Sequence, residues 1–174
     1  MTSQDFNDFF GGIESIITSI SIAVVGIWTY RKFVLQQERY PNLVFVASVN
    51  FIGEHKNEWL VELVADVENK GKAQHKMKNF NFDLNAIFEE NDLIESEKWG
   101  KQINFPNLLI KGSFLPDDVD FFFVDPGTTA RYSFISKVPK EASFVILHSY
   151  FNYSDKRNYR HSAEFTAKVP PNKP

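Results

Sequence analysis

The 174 residues contain no cysteine. Disulfides, cysteinyl metal sites and cysteine nucleophiles are therefore excluded. Also missing are a GxSxG elbow, a phosphate-cradling glycine loop, an HExxH helix and any paired-carboxylate motif that stands out. The expectation is accordingly a protein that is not an enzyme and carries no cofactor. No excess of positive charge is present either: the net charge is −3 and the pI near 5.8. That balance argues against general nucleic-acid binding, so no nucleic-acid partner is expected. Internal repeats and sustained heptads are absent.

Long apolar runs are rare, and one dominates the chain. Phe9 to Tyr30, FFGGIESIITSISIAVVGIWTY, carries a single formal charge, Glu14, and runs into Arg31 and Lys32. As a helix it would be about 33 Å long, matching a hydrocarbon core of about 30 Å. A buried helix of a soluble protein is the alternative, but the apolar residues are not confined to one narrow stripe. A cleaved signal peptide wants a basic start and a small-x-small site, whereas residues 1–12 hold Asp5 and Asp8 and no Lys or Arg. The segment is read as a retained transmembrane helix. Arg31, Lys32 and Arg39 on its C-terminal side place the N-terminus outside and the rest in the cytoplasm, at the cell (inner) membrane. Trp28 and Tyr30 suit the interfacial belt.

The helix has two faces. Gly11, Gly12, Ser15, Thr18, Ser19, Ala23, Gly26 and Thr29 fall on one arc, and Ile13, Ile16, Ile17, Ile20, Val24, Ile27 and Trp28 fill the other. Small residues let helices approach closely in lipid, so Gly11, Ser15, Thr18, Ser19, Ala23 and Gly26 are candidate contacts to a partner helix or a second copy. Against this stands the habit of Ser and Thr of bonding their own backbone. Glu14, on the shoulder of the small face, either reaches water or sits protonated against a partner.

The organisation that follows is residues 1–8 outside, 9–30 across the membrane, 31–41 a helical extension, 42–170 one domain and 171–174 a tail. Pro41 stops the helix. Thereafter the period is two. Strands are expected at Leu43–Ile52, Trp59–Glu68, Lys78–Phe88, Leu108–Leu115, Val119–Val124, Arg131–Lys137, Ser143–Tyr153 and Tyr159–Val169. In the second, Trp59, Val61, Leu63, Ala65 and Val67 point inward; in the third, Phe80, Phe82, Leu84 and Ala86 do so. Ser143–Tyr153 is apolar on both faces, which marks a central strand. Residues 89–106, acidic and irregular, form a long loop. Eighteen phenylalanines point to an aromatic sheet core. Seven to nine short strands with no helical pattern between them indicate an all-β antiparallel sandwich.

Val67-Glu68-Asn69-Lys70-Gly71 at the close of one strand, and VDPGTTARYSF from Val124 leading into another, resemble immunoglobulin-like modules of bacterial surface and envelope proteins. The layout is similar to that of uncharacterised bacterial single-pass membrane proteins with an immunoglobulin-like β-sandwich. The resemblance implies a binding or structural role, but the paired cysteines of antibody-type domains are absent.

Candidate site residues are few. His148 and His161 lie on neighbouring strands, where two imidazoles would begin a metal site. The preferred reading is buried histidine bonded to a carbonyl or a tyrosine. Asp117, Asp118 and Asp120 lack the spacing of a calcium loop. Asn152-Tyr153-Ser154 matches a glycosylation triplet on the cytoplasmic side. Lys70, Lys72, His75, Lys76 and Lys78 cluster at one turn, and Lys156, Arg157 and Arg160 at another. Arg31, Lys32, Arg39, Lys70, Lys72 and Lys76 are the expected contacts to anionic lipid headgroups. The expected partners are thus membrane lipid and either another protein or further copies of the chain.

Overall fold

A computed structural model describes residues 3–32, 41–97, 100–154 and 159–171, the side chains of 3–15 excepted. Two compact units divide at Pro41/Asn42. The first contains α1 (Ser3–Tyr30), 28 residues and so about 42 Å long. It starts six residues before the expected span, since residues 3–8 hold no proline to stop a helix. Arg31 and Lys32 add a wider helical turn. Residues 33–40, most of the expected extension, lie outside the described residues.

The second unit is all β, with eight antiparallel strands among the described residues: β1 (Leu43–His55), β2 (Glu58–Asn69), β3 (His75–Phe88), β4 (Asn107–Ser113), β5 (Phe121–Val124), β6 (Thr129–Pro139), β7 (Ala142–Tyr153) and β8 (Arg160–Lys168). One sheet has the order β1-β2-β6; the other has β4-β3-β7-β8, with β5 paired to the start of β3.

β2 and β3 bury the residues that their alternation turns inward. Along β2, Val61, Leu63, Ala65 and Val67 are fully buried and Trp59 nearly so; along β3, Phe80, Phe82, Leu84 and Ala86 are fully buried. Val64 on the other face of β2 is buried as well, which its alternation did not announce. The two inner faces meet through rings. Phe45 reaches Phe80 and Phe151, Phe82 packs on Phe134, and Phe122 packs on Tyr132, with centroids 4.9–5.7 Å apart. Gly112, opposite Phe82, is required for this closeness: a Cβ there would stand 2.7 Å from the Phe82 ring.

Several boundaries move. Gly53, just past the expected end of the first strand at Ile52, sits at a bulge inside β1, and the chain reverses at Lys56 and Asn57, with Lys56 at φ 54°. β4 ends at Ser113: Phe114 N–H still donates to Phe80 C=O at 2.9 Å, but Leu115 N–H turns to Ser113 Oγ at 3.0 Å, and both side chains are buried. β5 is only four residues long, its ladder to β3 starting at Phe121. β7 is central, as its composition implied, but its second face is only partly covered: Phe144 is exposed, and Ile146 and Tyr150 are half-buried.

Strand direction settles which turns share an end. Lys70 N–H donates to Asn42 C=O, Ser154 N–H to Lys76 C=O and Tyr153 N–H to Tyr159 C=O, all at 2.8–2.9 Å. The β2–β3 turn and the β7–β8 turn therefore lie at the end where the chain enters the domain. The turns after β1 and β6 lie at the opposite end, joined by Lys140 N–H to Asn57 C=O.

Candidate functional site

On α1 the described side chains start at Ile16. Ile16, Ile17, Ile20, Ile22, Val24, Val25, Ile27, Trp28 and Tyr30 are each more than half exposed. Ser21 Oγ donates to Ile17 C=O at 2.9 Å, the local bonding that competes with contacts between helices. Of the small-face residues, Thr18, Ser19, Ala23, Gly26 and Thr29 are described, and a Cβ at Gly26 would meet nothing within 4 Å. Gly11 and Ser15 lie outside the described side chains. Among the described residues, no helix is long and apolar enough to cross a membrane. Phe9 to Ser15, the first third of the expected span, are not among those side chains.

The two histidines of interest are not brought together. β7 and β8 pair His148 with Glu164 and Phe151 with His161. Period-two geometry then sends His161 to the inner face and His148 to the outer one. His161 lies among Phe45, Phe151 and Tyr153, and its Nδ1 is 2.9 Å from Tyr153 Oη. It is the tyrosine-bonded structural histidine of the preferred reading. Burial lowers its pKa. A base whose pKa falls on folding is protonated first in the unfolded chain. Stability is thus complete above the ordinary value of about 6.5 and drops as pH falls from there toward the folded value. Urea midpoints at pH 7.5 and 5.5 are expected to fall less for His161→Gln than for the parent chain; equal falls would remove His161 as a source of the pH dependence.

On the outer face, the register aligns Asp83, His148 and Glu164 across β3, β7 and β8. The long loop crosses beside them: Asn85 Nδ2 donates to Phe105 C=O at 3.2 Å and Gln102 Nε2 to Glu164 Oε2 at 3.4 Å. A shallow cleft of about 180 Å³ results, lined by Asn85, Gln102, Phe105, Ile146, His148 and Glu164 among others. Asp83 also faces Lys111 at 3.8 Å, and His148 Nε2 is 4.0 Å from Glu164. Ser96 also lines this cleft, and the described residues contain no cluster able to hold a metal ion. A larger cleft of about 920 Å³ at the opposite end mixes Glu89, Glu90 and Glu141 with Lys140 and Lys168. Asp117, Asp118 and Asp120 are exposed and do not converge on a cation site.

The cations do converge. Lys70, Lys72, Lys76 and Lys78 share the chain-entry end with Arg160 at the start of β8. Lys156, Arg157 and Arg39 lie outside the described residues; Arg31 and Lys32 belong to the other unit, where Lys32 Nζ is 4.6 Å from the Trp28 ring centroid. Lys70 is paired with Glu68 at 3.4 Å. Lys76 instead lies 3.7 Å from the Phe121 ring centroid, and Arg160 lies 4.3 Å from that of Tyr150. Sequence reasoning found the lysines but missed Phe121 and Phe123, whose exposure depends on the pairing of β5 with β3.

No protein-family model and no curated protein matches the chain. Among solved structures it is similar to the Northeast Structural Genomics Consortium target SoR45, with TM-score 0.47, 11% identity, and 75% of this chain and 90% of that one covered. It is also similar to a structure provisionally assigned as the ApaA protein of Bordetella pertussis, with TM-score 0.48, 11% identity and coverage of 75% and 95%.

Proposed function

We propose that the chain is a single-pass membrane protein whose cytoplasmic domain binds a protein partner or holds a membrane complex together. The observation carrying this reading is the first unit: a 28-residue helix whose described isoleucines, valines and tryptophan are each more than half exposed. Such side chains favour lipid or a partner helix over water. The small face of α1 is the proposed contact in the bilayer, and the lysines at the chain-entry end, with Arg31, Lys32 and Arg39, the contacts to headgroups.

The domain is proposed to be immunoglobulin-like. In such folds the first, second, fourth and fifth strands share a sheet, facing the third, sixth and seventh. With β4 and β5 as additions on the third strand, β1-β2-β6 and β3-β7-β8 follow that order except for the fourth strand. A β5 paired to β3 rather than β6 is a departure from it. The eleven residues of β6 form a sheet edge, which suits partner binding by strand addition.

The test is an alkaline wash of membranes followed by extraction in mild detergent and intact-mass measurement. The chain is expected to stay in the membrane through the wash and to emerge with a second polypeptide in fixed ratio. A homo-oligomer of one mass would replace the partner-binding reading with a self-assembling membrane effector whose domain senses a ligand. Release by the wash would overturn both.

A further inference from the structure

The pairing of β5 with β3 creates a surface that the lysine cluster alone did not announce. Lys76 pairs with Phe123 and Lys78 with Phe121. Met77, Phe122 and Val124 point into the core, so alternation turns these four outward together. Phe121 is 41% and Phe123 49% exposed, high for phenylalanine on a domain with a closed aromatic core. The register continues from Lys78 through Asn152 to Arg160, and the 55% exposed Tyr159 precedes Arg160. Among the described residues no carboxylate stands within ion-pair distance of Lys76, Lys78 or Arg160, whereas Lys70 is tied to Glu68.

We propose that this outer corner of the second sheet is a docking face for an anionic lipid surface, with Lys76, Lys78 and Arg160 meeting phosphates and Phe121, Phe123 and Tyr159 entering the headgroup layer. The proposal rests on the membrane-anchored reading above. Three observations select lipid as the occupant. Cations interleaved with exposed rings match the chemistry of an anionic interface, where basic residues meet headgroups and aromatic rings settle at their level. The face lies at the end of the domain that holds Asn42, its first residue. The net charge of −3 makes this corner a local exception rather than part of a generally basic, nucleic-acid-binding surface.

The absence of cysteine allows a unique label at any position of the full chain. A fluorophore on Phe123→Cys, Ile135→Cys or Ile20→Cys would be read in bilayers with brominated acyl chains, made of phosphatidylcholine alone or mixed with phosphatidylserine. Expected is quenching at 123 only with phosphatidylserine, lost at about 1 M salt, where the Debye length is about 3 Å. Position 135, exposed on the other sheet, stays bright. Lys76→Gln with Lys78→Gln is expected to lower the docked-to-undocked ratio about 25-fold, at about 1 kcal/mol for each lysine. Equal signals at 123 and 135, or quenching indifferent to phosphatidylserine, would overturn the docking face. So would displacement by a single-stranded oligonucleotide, which would make the surface a nucleic-acid site. Position 20 reports separately on the anchor: it is quenched in both lipids if α1 is in the bilayer, and in neither if the anchored reading fails.

Discussion

Phe80→Ala is expected to lower the unfolding free energy of the domain by about 3–5 kcal/mol. The ring is fully buried and has five aromatic neighbours drawn from both sheets. It stacks on Phe122 at 4.7 Å and meets Phe114, Tyr132, Phe151 and Phe45 at 4.9–5.7 Å. Phe122, Tyr132 and Phe151 also touch one another in part. Collapse into the vacated space would therefore have to move several close-packed rings at once, so the lost transfer energy is joined by an unfilled cavity. Urea titration followed by circular dichroism measures the loss. Phe121→Ala, on the exposed face of β5, is expected to fall within about 0.5 kcal/mol of the parent. Similar losses for the two variants would mean that the aromatic core is not centred on Phe80.

The second large effect is expected at Asn69, one of two buried polar residues in the described domain. Its Nδ2 donates to Val124 C=O at 2.8 Å and Ala73 C=O at 2.9 Å, and its Oδ1 accepts from Gly71 N–H at 2.9 Å. Its own backbone is bonded to Thr128 C=O and Gly127 N–H. One side chain thus closes the β2–β3 turn and fastens it to the end of β5. Asn69→Ala leaves two carbonyls and one N–H to find water, at about 1–3 kcal/mol for each that stays buried. A total of about 2–5 kcal/mol is expected.

Asn69→Asp is nearly the same shape but turns a donor into an acceptor against two carbonyls, and adds a charge in a buried place. It is expected to lose more than Asn69→Ala at pH 7.5. The gap should narrow as pH falls and the carboxyl regains an O–H donor. An Asp variant as stable as the parent would show that the side-chain bonds carry little weight.

The same Asn69 shows where sequence reading stops. Asn69-Lys70-Gly71-Lys72 reads as a turn from residue types that favour reversal. That its side chain reaches Val124, 55 residues later, is visible only once β5 is laid beside β3. His161 is similar. Its strand and its alternate position are legible, and a tyrosine partner is a reasonable expectation. Its distance from His148 follows instead from the register of β7 against β8, which puts the two imidazoles on opposite faces. The shortening of β4 to Ser113 has the same origin. Phe114 and Leu115 continue the apolar pattern and are buried, but beyond Phe114 the backbone bonds to Ser113 Oγ instead of β3.

The sequence alone determined the all-β class, the inward residues of β2 and β3 and the central place of β7. Each rests on local information: a two-residue period, or the difference between a strand apolar on one face and one apolar on both. Tertiary structure decided which strands pair, that the β2–β3 and β7–β8 turns share the chain-entry end, and that Phe121 and Phe123 stand outward beside Lys76 and Lys78. Those are choices among distant partners, set by how the rings of both sheets fill one core, and no short window of sequence contains both members of such a pair.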